Sequence, residues 1–376
     1  MKTTFIFIVI FACISCNSKS THNNIKKQEI VNVSDKVADW QIDNFTYRDS
    51  VNLHDYGIDA WTNGVFYLGL KRWASVSNNS DVYYDWLYHN IGEKNKWQIP
   101  SNFIDYPKYS IYHADELCIG QFYLELYDKY KERTIIEATK QRLDAIINNP
   151  PSMNMSYLNK QTWTWCDALF MAPAVYLGMA QIENDTTYIN AMHSQFMTTY
   201  NHLFDTEEKL FFRDDSYFDK REENGEKIFW GRGNGWVIAG LANTINLLPE
   251  DSNIRPFYIK LFKDISERLV QLQHEDGFWH ASLLDPNSYP SPETSATALI
   301  TYGLAFGIDN GILKENHFFE SMSTAWSSLL TVVSEDGKLG WVQPIGADPK
   351  EVTNDMTAVY GVGAFLMAAT EIYNMK

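Results

Sequence analysis

Thr294-Ser295-Ala296-Thr297-Ala298-Leu299-Ile300-Thr301-Tyr302-Gly303-Leu304-Ala305-Phe306 reads as a helix without a solvent face. Apolar and small residues recur on nearly every side, so both faces should be buried against other helices. Five more stretches share this design: Trp61 to Leu70, Asp115 to Tyr127, Asp167 to Ala180, Gly235 to Leu247 and Thr357 to Ile372. They recur about every 50 to 65 residues, a spacing that signals a repeat architecture. Between them, Thr134 to Ile147, Tyr188 to Tyr200, Phe257 to Gln273 and Phe318 to Val333 carry charges that suit an outer, solvated layer. Asp276-Gly277 and Asp336-Gly337 each follow an outer stretch with a tight-turn dipeptide, and Asp205 to Phe212 looks like a degenerate copy. Six inner helices alternating with outer ones predict an all-α fold, an (α/α)6 barrel. An open solenoid of helix pairs is the competing geometry.

The chain has 376 residues, of which 45% are hydrophobic and 15% aromatic, enough for one large core or two modest ones. Its net charge of -16 argues against nucleic acid as a partner, because a polyanion would be repelled. Residues 1–16 read as an export signal: Lys2, the apolar run Phe5 to Ala12, then Cys13-Ile14-Ser15-Cys16. The pattern resembles a bacterial lipoprotein signal with Cys16 as the lipidation site, although Cys13 stands where such signals usually carry Leu. That run is too short to span a bilayer, so contact with a membrane is expected only through the lipid, with the protein facing the periplasm. Residues 17–38 are polar and read as a flexible tether, leaving 39–376 as the catalytic domain. Cys118 and Cys166 follow no metal-site spacing and are expected as small buried thiols, each near a carboxylate.

A closed barrel gathers the N-terminal ends of its inner helices at one rim. Trp61, Asn63, His113, Asp115, Trp165, Asp167, Arg232, Trp236, Glu293 and Asp355 are expected there. Asp167 follows Trp163-Thr164-Trp165-Cys166, and burial among indoles should raise its pKa and keep a proton on it. Asp115 comes from the preceding unit, and two carboxylates held close would push their pKa values apart. Plain helix capping is the competing reading of both. Gly231-Arg232-Gly233-Asn234-Gly235-Trp236 offers a guanidinium between glycines, fit to grip a carboxylate with two parallel bonds where the backbone approaches closely. A Gly-rich turn is its bland alternative. Glu293 reads first as a helix start. His113 and His280 read as groups to bind hydroxyls or donate to the carboxylates, with a structural role as the bland alternative, and Arg213 either pairs with Asp214 or Asp215 at the surface or contacts substrate. No H-E-x-x-H, clustered His/Cys or G-x-S-x-G is present, so neither a metal nor an organic cofactor is expected.

His113-Ala114-Asp115, Trp165 to Pro173, Trp230 to Trp236 and Glu293-Thr294-Ser295-Ala296 together resemble the unsaturated uronyl hydrolases. The likeness is specifically to glycoside hydrolase family 105, with family 88 more distant, over about residues 55 to 372. It implies an (α/α)6 barrel that acts downstream of a polysaccharide lyase. The enzyme would remove a 4,5-unsaturated uronic acid from the non-reducing end of rhamnose-containing acidic oligosaccharides, from ulvan or pectic rhamnogalacturonan. By the same resemblance, the residue at Asp167 donates the proton and that at Asp115 assists, while Trp165, Arg232, Trp236 and more weakly Asn63 line the sugar site. Arg213 stands where pectin-directed relatives tend to carry a His, which favours a more anionic substrate. An ordinary inverting glycosidase and a non-catalytic glycan-binding lipoprotein are the alternatives.

Overall fold

The structure, a computed structural model, describes residues 26–45, 57–100, 111–159 and 162–375. The expected export signal with Cys16, and residues 17–25 of the expected tether, lie outside these. In chain order the helices are α1 (Lys27–Asp43), α2 (Trp61–Ala74), α3 (Ser80–Asp85, continued by a π-helical run Trp86–Glu93), α4 (Cys118–Tyr130), α5 (Glu137–Asn148), α6 (Ala168–Met171), α7 (Pro173–Glu183), α8 (Thr186–Leu203), α9 (Gly231–Leu247), α10 (Arg255–Gln271), α11 (Thr294–Asp309), α12 (Asn316–Thr331) and α13 (Val359–Asn374). A short hairpin of β1 (Phe204–Asp205) and β2 (Leu210–Phe211) follows α8.

The inner helices are α2, α4, α6 with α7, α9, α11 and α13. Every residue of α11 from Thr294 to Gly307 is buried, as is every residue of α9 from Gly231 to Ile245. Outer helices bury one stripe; in α10 it is Tyr258, Leu261, Phe262, Ile265, Ser266 and Leu269. Each inner helix packs on the next, and α13 packs on α2, so the ring closes and the open solenoid is excluded. Glycine makes that closure possible. A Cβ on Gly69 would stand 2.3 Å from the carbonyl oxygen of Gly363, and one on Gly363 2.3 Å from that of Val65. The first and last inner helices therefore meet backbone to backbone. The architecture is the expected (α/α)6 barrel.

Two expectations need correction. Residues 27–38 are not tether: they form most of α1, which packs on α13 as an outer helix. Its buried residues Ile30, Val31, Ser34, Val37, Ala38 and Gln41 follow a helical period within a stretch rich in Asn, Ser and Lys. Asp35 accepts hydrogen bonds from Trp73 Nε1 at 2.8 Å and Ser77 Oγ at 2.6 Å, and Asp39 accepts one from Tyr83 at 2.8 Å. The Asp336-Gly337 turn closes over α1, with Gly337 at φ +99° and its Cα too near the Lys36 carbonyl to carry a side chain.

The second correction concerns the stretch from Asp167 to Ala180, which is broken at Pro173. Proline has no N–H to bond the carbonyl of Leu169, so the helix parts after Met171. Neighbours accommodate the freed carbonyls. Gly240 of α9 lies against the Leu169 oxygen, where a Cβ would stand 2.1 Å away, and Gln121 Nε2 donates to Phe170 O at 2.9 Å and Met171 O at 3.2 Å. The turn copies behave as read: Gly277 adopts φ +85°, and Lys209 takes a left-handed φ of 56° in the β1–β2 hairpin. Cys118 and Cys166 are free and buried.

Asp35→Ala separates a helix from a tether. With two buried donors left unsatisfied, denaturant unfolding should show a loss of about 2–4 kcal/mol, whereas a tether residue would leave the midpoint unchanged.

Candidate active site

Asp167 immediately precedes α6, and its surroundings are set by three chain segments. The N–H of Cys166 donates to the Arg213 carbonyl at 2.8 Å, pinning the turn before α6 to the segment after β2. The thiol of Cys166 donates to Asp167 Oδ1 at 3.3 Å. On the third side lies the first turn of α9, where a Cβ at Gly233 would sit 3.1 Å from the Cys166 sulfur and 3.7 Å from Asp167 Oδ1. Asn234 completes the frame by exchanging hydrogen bonds with both the N–H and the carbonyl of Phe211, at 2.8 and 3.1 Å. That exchange fixes the strand leading into Arg213.

The electrostatics of Asp167 are one large effect opposed by smaller ones. Burial raises its pKa above the ordinary carboxylate range, and Arg213, the Cys166 thiol and Arg232 pull it down without cancelling the rise. Burial is thus the leading cause, as the indole-rich surroundings predicted. Asp115 lies half-buried on a one-turn 3-10 helix, Ala114–Leu117, that packs on α6. His113, one residue before that turn, is stacked on Trp165 with ring centroids 4.5 Å apart. Asp115, His113, Trp165, Asp167 and Arg213 therefore form one neighbourhood.

Arg213 is the cation of this neighbourhood. Its Nη1 pairs with the buried Asp214, so the surface pairing considered from sequence is in fact internal. Its Nε is buried and has no hydrogen-bond partner. Tyr217, which sequence reading passed over, belongs here too. Burial and then Asp348 raise its pKa, while Arg213 lowers it. Glu116 was also missed, and burial holds it up to about 7, against the pull of Arg142.

Several expected site residues have other work. Arg232 is 1% exposed; Nη1 donates to Gln343 O at 2.5 Å and Tyr360 Oη at 3.2 Å, and Nη2 to Pro344 O at 2.9 Å. Its guanidinium also lies over the Trp230 ring at 4.5 Å. It fastens the 343–344 segment to the barrel instead of presenting an open fork. Gly231, Gly233 and Gly235 make room for protein neighbours, not for a ligand: a Cβ on Gly231 would stand 2.3 Å from His280 O. Trp236 is fully buried between Trp61, Phe170 and Tyr360, a core position below the rim. The amide of Asn63 donates to Gly57 O at 2.9 Å and secures the start of α2. Glu293 caps α11, accepting from Ser295 N, Ala296 N and Gln343 N. Asp355 lies in an exposed turn bonded to Thr353, and His280 is tied to Asp276. A cavity of about 320 Å³ opens elsewhere, at the C-terminal ends of α2, α4 and α9, lined by Arg72, Gln121, Glu125 and Asn243. It contains none of the Asp167 neighbourhood.

The family model described as Glycosyl Hydrolase Family 88 matches residues 33–376. An unsaturated 3S-rhamnoglycuronyl hydrolase of Alteromonas sp. (strain LOR) is 34% identical over 358 residues, covering 90% of this chain and 84% of its own length. A protein of the same name from Formosa agariphila is 37% identical over 329 residues, covering 84% and 85%. Among solved structures, a glycosyl hydrolase family 88 protein from Bacteroides vulgatus is similar with a TM-score of 0.82 and 27% identity, covering 93% of this chain and 100% of that one.

The raised pKa of Asp167 has a consequence for stability. The unfolded carboxyl titrates near about 3.9, so above that pH the folded protein retains a proton that the unfolded chain has lost. Stability falls as pH rises through this window. Asp167→Asn removes the penalty: its Tm should exceed the wild type's at pH 7 and match it below about pH 3.5. An equal or lower Tm at pH 7 would contradict the burial account.

Proposed function

The chain belongs to glycosyl hydrolase family 88 and is a glycoside hydrolase, and from that premise we propose that it removes a 4,5-unsaturated uronic acid from the non-reducing end of rhamnose-containing oligosaccharides. The carrying observation is the half-buried Asp167, whose pKa desolvation raises, beside a cation with a hydrogen to donate. The names of the Alteromonas and Formosa relatives support the rhamnoglycuronyl substrate, and with it ulvan-type fragments over pectic ones.

The reaction follows from the enol ether in an unsaturated uronide. Asp167 delivers its proton to C4, leaving an oxocarbenium ion at C5. Water adds at C5, the hemiketal opens, and the glycosidic bond breaks with the ring. Asp115, as the anion, orients that water and takes its proton, general base to the Asp167 general acid. Because water adds at C5 and not C1, the distance rule that separates retaining from inverting glycosidases has no bearing here. Arg213 is the better candidate for the substrate carboxylate than Arg232, because its Nε is free while the Arg232 hydrogens reach carbonyls of its own chain. Trp165, braced by His113, offers an aromatic wall for the sugar ring. The export signal and Cys16 support work outside the cytoplasm, on fragments that a lyase has already released.

The conjugated double bond absorbs in the ultraviolet, so its loss reports turnover directly. Wild-type protein should clear the absorbance of an ulvan-lyase digest faster than that of a rhamnogalacturonan-lyase digest. Asp167→Asn should slow it by about 10²–10⁴-fold, the usual worth of a general acid, while binding persists. Absorbance that stays constant on both digests would remove the proposal.

Arg213→Gln should raise KM at least about tenfold. It should also move the alkaline limb of kcat to higher pH, since Arg213 lowers the pKa of Asp167. Glu116→Gln should leave that limb in place. An Arg213 variant with unaltered KM and pH profile would take the residue out of the site.

A further inference from the structure

The loop after α10 brings together three metal-binding side chains that take no part in the Asp167 neighbourhood. The three side chains are spaced along the chain and come together through the Asp276-Gly277 turn. The ligating atoms of His274, Asp276 and His280 all lie within 4.8 Å of one another. The His280 side chain is 1% exposed, and its Nδ1 faces the Pro286 carbonyl at 3.3 Å. A carbonyl only accepts, so Nδ1 carries the hydrogen, and a neutral ring then presents the lone pair of Nε2. That lone pair meets another acceptor, Asp276 Oδ2, at 3.0 Å. His274 approaches the same carboxylate, with Nδ1 3.4 Å from Oδ1 and no hydrogen-bond partner. The other contact of Oδ1 is the N–H of Phe278 at 3.0 Å.

The two rings lie 4.3 Å apart at a tilt of 38°, and a nitrogen of each faces the same carboxylate. One divalent ion serves all three groups with both histidines neutral. His280 Nε2 stands 3.0 Å from Oδ2, near the edge, about 3.0 to 3.4 Å, of a shell whose metal–ligand bonds are about 2.1 Å, and His274 Nδ1 reaches the other oxygen of the same carboxylate at 3.4 Å. A ligating histidine whose second nitrogen donates to a backbone carbonyl is the usual supporting arrangement.

We propose that His274, Asp276 and His280 bind a divalent transition-metal ion, zinc by the chemistry of two imidazoles and a carboxylate, as a structural staple. The residues that follow the turn carry the start of α9: Gly231 N–H donates to Ala281 O at 2.8 Å, and Leu283 N–H to Phe229 O at 3.0 Å. An ion here braces the helix start against which Cys166 and Asp167 pack. It lies outside the chemistry proposed for Asp167 and stands or falls separately from it.

Calorimetric titration of the metal-stripped protein with zinc chloride should give one site per chain, and equimolar zinc should raise Tm by about 3 °C or more. His274→Gln alters a partly exposed side chain, and Asp276→Asn keeps an oxygen for the Phe278 N–H. Each should keep its circular dichroism spectrum and bind zinc at least about tenfold more weakly. The exposed pairs His89–Glu93 and His317–Glu267 remain in both variants as internal controls for surface binding. Wild-type protein that takes up no zinc, or variants that bind it as the wild type does, would overturn the site.

Discussion

The backbone contact between Gly69 and Gly363 is the constraint from which the rest follows. Six inner helices of similar character stack as readily into an open array as into a ring, and closure depends on the first and last meeting without side chains between them. Once they meet, helix starts distant in sequence are brought together. Trp61, Trp236 and Tyr360 come from α2, α9 and α13 and pack together below the rim.

Within that frame, the position of Asp167 is determined by relay. Asn234 holds Phe211 from both sides, the following Arg213 carbonyl holds Cys166, and Cys166 bonds Asp167. Pro173 cuts the helix behind it, and Gln121 fixes the cut end. Burial then sets the proton affinity of Asp167, while Arg213 limits how far it rises. One guanidinium thus moderates the acid while its Nε is left without a hydrogen-bond partner. Arg232 shows the contrast, because a cation fully engaged by Gln343, Pro344 and Tyr360 organises the wall but has little left to offer.

The inner helices were legible in the sequence because a helix buried on every side must be apolar on every side, and few other environments require that. The Asp-Gly turns were legible because only a left-handed glycine fits them. Helix α1 was not: its apolar residues lie one or two to a turn within a polar stretch, and composition outweighed period. The break at Pro173 was readable in principle, since proline cannot continue the ladder, but Gln121 and Gly240, which make the break tolerable, lie on other helices. At the site, Asp167 was found through its indole-rich surroundings. Arg232 and Trp236 carried the same local signals yet serve the interior, because sequence records which groups a residue carries and not which neighbours already occupy them. Tyr217 and the cluster of His274, Asp276 and His280 gave no signal, since each acquires its setting from a turn.

The central claim is that Asp167 holds a proton where ordinary aspartates have lost theirs. Carboxyl-carbon NMR titration of protein labelled with 13C at its aspartates, compared with Asp167→Asn, measures this directly. The account predicts one resonance that titrates above the ordinary aspartate range in the wild type and is absent from the variant. A wild type in which every aspartate titrates in or below that range would contradict it.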